Sequence, residues 1–539
     1  NGFNASWDDF CANQAGACPQ GPNCHPDDWL ALKALYNSTN GPNWYDLPNI
    51  RPYAWDAQIA DQDSYPTVGC DLNVLKGIDV NAQGRVSKVN LDFFGKIIEG
   101  PIPSDIEKLT YLTELGFQNE LLTGPIPPEL GNLQYLTHLD LSYNNFNSPL
   151  PSNLGNLQSL EYLDIGRSNL TGPIPTSIDG LNSIKEIILF GNQLTGPIPS
   201  QLGSLRTLEK LYLNQNNLNG NIPTGLGALV NLTILDLCQS GLTGPIPADI
   251  GNLESLTSLS LDKNSLDGNI PMSFINLENI EGISLANNLL TGSIPDFFGG
   301  FESLVRLDLG PNTFSGSIPE SLGSLSNLTF LNLYGNSLTG NIPASLGNLT
   351  NLEVLFLFRN NLTGNIPASL GNLTNLKDLI MFENELTGGI PKELGNLNSL
   401  EELWIEENKL AGCFPSELKT LCGQLTVARV FSNNFHDTWL NFCNNDGGVC
   451  TNNCDAEEWY ALKALYNSTN GNSWTNQSGW EDIIAPFNNP PANYNLANLY
   501  GITLDAVGRV TCIDLDGVDD CSLTLDGTGN NLTGNIPVE

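Results

Sequence analysis

LTFLNLYGNSLTGNIPASLGNLTN, residues Leu328 to Asn351, is one copy of a phrase that recurs along most of this chain. Copies open at Leu112, Leu136, Leu160, Ile184, Leu208, Leu232, Leu256, Ile280, Leu304, Leu328, Leu352, Leu376 and Leu400, a constant 24-residue step, and the copy at Leu425 slips by one. Self-similarity at a fixed short period marks a solenoid. The opening LxxLxL alternates apolar and polar residues, as a short strand buried on one face does. The ninth position is usually Asn (Asn144, Asn192, Asn216, Asn264, Asn288, Asn312, Asn336, Asn360, Asn384, Asn408). An inward amide there can satisfy backbone groups of neighbouring turns and stack as a ladder. In the LTGxIP that follows, Gly permits a bend, Ile enters the core and Pro restricts pairing to an edge. LGNLxx then closes the coil with a short helical turn. One coil cannot bury its own leucines, so copies must stack into a continuous core.

The LxxLxL…LTGxIP phrase resembles the plant-type leucine-rich repeat of receptor-kinase ectodomains and polygalacturonase-inhibiting proteins. The resemblance covers nearly two thirds of the chain. It implies an α/β solenoid with a parallel sheet on the concave face, disulfide-stapled helical caps, and peptides, steroids, polysaccharides or proteins as ligands. The chain departs from that pattern in lacking a membrane span and kinase, in a long cap insertion (Ile50 to Cys70), and in a cap that recurs after the solenoid.

Outside the solenoid (112–433) lie a cysteine-rich flank with a first imperfect coil (1–111) and a second, cap-like flank (434–539). In the first, His25-Pro-Asp-Asp starts a helix whose apolar face is Trp29, Leu32, Leu35 and Tyr36, with Gly41 as its stop. KGIDVNAQGRVSKVNLDF then reads as a hairpin with Gln83-Gly84 at its turn. The second flank repeats residues 1–105 almost phrase for phrase. Trp439 matches Trp7, Cys443 matches Cys11, Cys450 matches Cys18, Cys454 matches Cys24, and ALKALYNSTNG recurs at Ala461 to Gly471. YGITLDAVGRV and NLTGNIP follow in the same order as KGIDVNAQGRV and IIEGPIP. One period of a longer array, running from Trp7 to Trp439, accounts for this, and so does a duplicated carboxy-terminal cap.

The formal charge is −37, from 58 acidic and 21 basic side chains. That argues against nucleic acid and anionic membranes as partners. No run of apolar residues is long enough for a membrane span, and no signal peptide opens the chain, which reads as mature or a fragment. Twelve cysteines, all but Cys238 in the flanks or the coil before the second one, point to an oxidising, extracellular compartment. Cys11, Cys18, Cys24, Cys70, Cys413, Cys422, Cys443, Cys450, Cys454, Cys512 and Cys521 are the expected disulfide set. Spacing suggests that Cys413 joins Cys422 and Cys512 joins Cys521 and leaves Cys443, Cys450 and Cys454 unassigned; Cys238, in a coil with no other cysteine, is a free thiol or a link to another chain. N-linked glycans are expected at Asn4, Asn37, Asn169, Asn231, Asn327, Asn348, Asn361, Asn372, Asn467, Asn476 and Asn531, each in N-x-S/T.

Catalytic signals are poor. His25, His138 and His436 are scattered, no HExxH, GxSxG, P-loop or CxxC is present, and no cofactor is implied. DLDGVDD (Asp514 to Asp520) lacks the register of a calcium loop and reads as solvated acids. Binding signals are better. Outward strand positions in early and middle coils are mixed: His138, Asp140, Tyr162, Asp164, Lys210, Tyr212, Ser258, Asp262. In late coils they become Phe330, Tyr334, Phe356, Phe358, Ile380, Phe382 and Trp404, with Arg359 nearby and acids at Asp378, Glu383, Glu402, Glu406 and Glu407. Such a stripe is a contact site for sugar rings or a neighbouring domain, or a cross-strand stack serving the sheet alone.

Two roles follow. The first is a secreted, glycosylated structural unit of a tandem or end-to-end fibre or cell-surface coat, whose partners are neighbouring copies of itself. The second is a discrete extracellular module that binds a carbohydrate, peptide or protein on the aromatic face. Neither is an enzyme.

Overall fold

The computed structural model describes residues 25–41, 72, 75, 77–91, 98–412, 414–435, 438–444, 502–504 and 510–513. They fall in two compact units, Asn1–Leu290 and Thr291–Glu539.

The first unit opens with the expected helix, Pro26–Ser38. Its Trp29, Leu32, Leu35 and Tyr36 are buried against the coil beginning at Ser104–Lys108. The left-handed residue after the helix is Asn40 (φ 58°), not Gly41. Gly41 is needed for another reason: a Cβ there would run into the Tyr36 ring. Asp28 ties helix to hairpin. Its carboxylate accepts from Arg85 Nε (3.1 Å), Arg85 Nη2 (2.8 Å) and the Val86 N–H (2.7 Å), and it is fully buried. A bidentate Arg pair plus a backbone donor is the geometry in which a buried ion pair is compensated. The hairpin pairs Ile78–Val80 with Val86–Asn90, antiparallel, around a turn in which Gly84 (φ 75°) lies next to Gln83, as the sequence suggests.

Val86–Asn90 then receives Glu114–Gly116 in parallel. Each following coil adds one three-residue strand in the same register, as in Lys210↔Ile234, Ile234↔Ser258 and Ser258↔Gly282. In the second unit the strands Arg306–Asp308, Phe330–Asn332, Val354–Phe356, Asp378–Ile380 and Glu402–Trp404 continue the step. Glu402 then pairs with Val427, one position beyond where the step alone would place its partner. The extra residue is absorbed on the convex side, where the 3₁₀ helix Ser416–Leu421 has six residues and its counterparts have five. The LGNL segments are these 3₁₀ helices. The LTGxIP segments form short parallel strands such as Ser337–Asn341 beside Asn361–Thr363.

Leucines of the LxxLxL phrase are essentially inaccessible to solvent in the coils from Leu112 to Leu400, and the Ile of xIP is buried beside them; Leu425, in the slipped copy, is only partly buried. The ninth-position amides form the expected ladder. Asn360 Nδ2 donates to the carbonyls of Leu333 (3.0 Å), Leu357 (3.0 Å) and Phe358 (3.3 Å), and its Oδ1 accepts from the Leu338 N–H (3.1 Å). Where the coil lacks Asn, Ser168 and Ser240 send hydroxyls to Leu141 O and Leu213 O, and Glu120 accepts from the Ile98 N–H.

The coil at Leu400 is closed by the helix Trp439–Asn444. Phe442 and Trp439 pack on Phe414 with centroids 5.3 and 5.4 Å away. The disulfide here corrects the sequence expectation: Cys422 pairs with Cys443, not Cys413. Short spacing favoured the local partner, but the Trp439–Asn444 helix folds back onto the Ser416–Leu421 turn and brings Cα atoms 21 residues apart to 5.4 Å. Cys413 itself, with Cys11, Cys18, Cys24, Cys70, Cys450, Cys454 and Cys521, lies outside the described residues, as do the Cys512 side chain, His436, the DLDGVDD run and most of the second flank.

Asn360→Ala is expected to cost about 2 kcal/mol or more, because it strands buried carbonyls and one N–H. Urea denaturation checks this against Ser337→Ala on the exposed surface, for which a change within about 0.5 kcal/mol is expected.

Candidate functional site

In the second unit, each coil contributes outward residues at the third, fifth, seventh and eighth positions of its phrase, on adjacent parallel strands. The seventh-position rings form a stack. Tyr334 and Phe358 lie 4.4 Å apart at 9°, and Phe358 and Phe382 lie 4.6 Å apart at 13°. Phe382 meets Trp404 at 5.9 Å, and Phe330 meets Phe356 edge-on at 6.0 Å. All six rings are half-buried. Ile380 shares this face but is 7% exposed, so it supports the stripe from beneath. Because Phe358 has a ring on each side, its faces are occupied and its edge is what remains open.

Cations complete the stripe, two of them missed in the sequence. Arg306 lies 3.6 Å over the Phe330 ring and donates to Asp308 (3.0 Å). Arg429 lies 4.3 Å over Trp404. Both occupy outward positions of their coils, so the arithmetic that found the aromatics also reaches them. Arg429 belongs to the slipped copy, which hid it. Arg359, expected nearby, is exposed, donates to Glu383 (3.0 Å) and lies 5.7 Å from the Phe382 centroid.

The acids divide. Asp378, Glu402 and Glu407 keep some exposure, and burial pushes their carboxyls above the ordinary range. Glu406 is buried instead of flanking the stripe, 3.9 Å from Arg429 Nη1. Two buried donors at this end, Trp404 Nε1–H and Arg429 Nε–H, have no hydrogen-bond acceptor among the described residues. A buried donor without an acceptor costs about 1–3 kcal/mol.

The first unit's concave face is mixed, as the sequence suggests. His138 stacks on Tyr162 (6.0 Å), and the Tyr162 hydroxyl donates to Asp164 Oδ2 (3.4 Å). Burial, aided by the charge of Asp140 and opposed by the Gly166 N–H, pushes the Asp164 carboxyl up to about 6. Asp236 reaches about 6 by the same desolvation. Lys210 pairs with Glu186 (3.2 Å), Tyr212 and Ser258 are half-buried, and Asp262 accepts from Ser260 Oγ (3.1 Å). Cys238 is a free thiol, as expected; its Sγ donates to Asp262 (3.1 Å), and burial pushes it up to about 12. Among the described residues no cluster of His, Cys, Asp and Glu could hold a metal ion, and no helix is long and apolar enough to cross a membrane.

The acceptor asparagines Asn37, Asn169, Asn231, Asn327, Asn348, Asn361 and Asn372 are all exposed, and none occupies an outward position of the LxxLxL strands. Asn4, Asn467, Asn476 and Asn531 lie outside the described residues.

A family profile described as leucine-rich repeat region matches residues 300–447. Profiles described as leucine rich repeat match 134–194, 254–314, 207–229 and 231–253. No curated protein sequence matches the chain. Among solved structures, the plant peptide hormone receptor RGFR1 in complex with RGF2 is 31% identical over 68% of this chain and 68% of its own, with a TM-score of 0.59. A TDR receptor is 32% identical over 64% of this chain and 63% of its own, TM-score 0.57. The Arabidopsis receptor kinase HAESA, in complex with the peptide hormone IDA and the co-receptor SERK1, is 27% identical over 79% and 77%, TM-score 0.59.

A raised carboxyl stabilises the fold fully below its unfolded value of 3.8, and that contribution is lost as pH rises through about 6. Asp164→Asn is therefore expected to flatten the fall in Tm across that window, which thermal melts at several pH values measure.

Proposed function

Since the chain belongs to the plant-type leucine-rich-repeat family, we propose that it is an extracellular, non-catalytic recognition module that binds an extended peptide or protein segment along the aromatic stripe of its second unit. The observation that carries this reading is the row Tyr334–Phe358–Phe382–Trp404, half-buried and contiguous on adjacent strands.

The ring geometry weighs against a sugar. Stacking a pyranose needs an open ring face, and the Phe358 faces are covered by Tyr334 and Phe382. Open ring edges carry positive partial charge and suit carbonyl oxygens and apolar side chains. The acids Asp378, Glu402 and Glu407 and a net charge of −37 favour basic side chains in the ligand. Exposed glycan acceptors placed off the strand face leave that face clear. The peptide hormones named with RGFR1 and HAESA are ligands of the same class.

The test is parallel probing of a peptide array and a glycan array with the purified chain. Retention of extended peptides carrying apolar and Lys or Arg residues is expected. Phe358→Ala and Trp404→Ala should each weaken it about tenfold or more, and Tyr212→Ala should leave it unchanged. Retention of oligosaccharides with silence on the peptide array would overturn the reading.

A further inference from the structure

The hairpin formed by Ile502–Leu504 and Val510–Ile513 reproduces the opening hairpin of the first unit pair for pair. Ile78↔Val89, Asp79↔Lys88 and Val80↔Val86 recur as Ile502↔Ile513, Thr503↔Cys512 and Leu504↔Val510, with one constant offset between each residue and its counterpart. The register shift falls at the same step, between Asp79 and Val80 in one and between Thr503 and Leu504 in the other. A bulge bends its strand and sets the twist of the edge it leaves for the next neighbour. Two hairpins with one bulge at one place therefore offer the same edge.

What that edge takes is visible in the first unit. Val86–Asn90 receives the first LxxLxL strand in parallel: the Thr113 N–H donates to Ser87 O (2.7 Å), and the Leu91 N–H donates to Gly116 O (2.9 Å). Thr511 stands where Ser87 does. The second hairpin is a two-stranded sheet among the described residues. Its flanking sequence keeps the charges that join helix to hairpin in the first cap, with Glu458 and Arg509 at the positions of Asp28 and Arg85.

We propose that Val510–Ile513 is the opening edge of a second leucine-rich solenoid, and that its partner is a further LxxLxL coil of the same natural polypeptide. A second copy of this chain does not supply that strand, because its own Glu114–Gly116 is already paired with its own Val86–Asn90. The second flank is then two things at once. The Trp439–Asn444 helix, held by the Cys422–Cys443 disulfide, closes the solenoid before it, and the hairpin opens the one after it. Such an arrangement leaves neither sheet edge bare, which suits a serially repeated extracellular array. It is independent of what the aromatic stripe binds.

The test is made on the natural polypeptide, reduced and freed of N-glycans. A mass well above 58.2 kDa is expected, with peptides that carry LxxLxL at the solenoid's own spacing beyond the sequence NLTGNIP. In the native, unreduced polypeptide, amides of Val510–Ile513 should exchange with deuterium as slowly as those of Val86–Asn90. A mass near 58.2 kDa overturns the proposal. A different sequence after NLTGNIP also overturns it, as does a coil that follows while the Val510–Ile513 amides exchange as fast as open loop.

Discussion

Everything in both units depends on the polar side chain that each coil turns inward at its ninth position, an amide in most coils and Glu120, Ser168 or Ser240 in the others. A three-residue strand followed by a sharp bend leaves carbonyls pointing into an apolar core, where no water can reach them. Asn360 answers three of these and one N–H with a single side chain. The same set recurs at Asn384, which serves Leu357, Met381 and Phe382. The carbonyl at the far end belongs to the coil before, so every amide also ties two coils together. Satisfying these groups lets leucines pack without the cost of buried, unpaired backbone.

Stacking at one fixed register has a consequence for the surface. Any side chain placed outward meets its counterpart one coil on, so chemistry accumulates in columns. Opposite charges in neighbouring coils become pairs such as Lys185–Glu161 and Lys377–Glu353, both 2.7 Å. Aromatics in neighbouring coils become the Tyr334–Phe358–Phe382 stack. An aromatic face is made by repetition with small changes.

The caps solve a different problem. A solenoid ends in exposed leucines and a bare sheet edge, so its first and last coils need partners of another kind. At the start these are the Trp29 helix and a bulged hairpin, joined by Asp28 and Arg85. After the last coils of the second unit they are Phe442, Trp439 and a disulfide. The hairpin at Ile502–Ile513 has the form of a start, and its place after an end is what gives it meaning.

Sequence alone determined the repeat, the buried leucines, the amide ladder, the helix of the first cap and which aromatics share a face. All of these follow from periodicity, and a constant period maps directly onto a stacked coil. Tertiary structure decided what periodicity does not encode. It chose Cys443 over Cys413 for Cys422, because a helix folding back matters more than distance along the chain. It placed Glu406 and Ile380 inside, and it set Arg306 and Arg429 over rings, since burial and ring-to-cation contact depend on which neighbours lean across a shared column. It also showed the two hairpins to share one bulged register, a property of backbone pairing that residue identity alone does not carry.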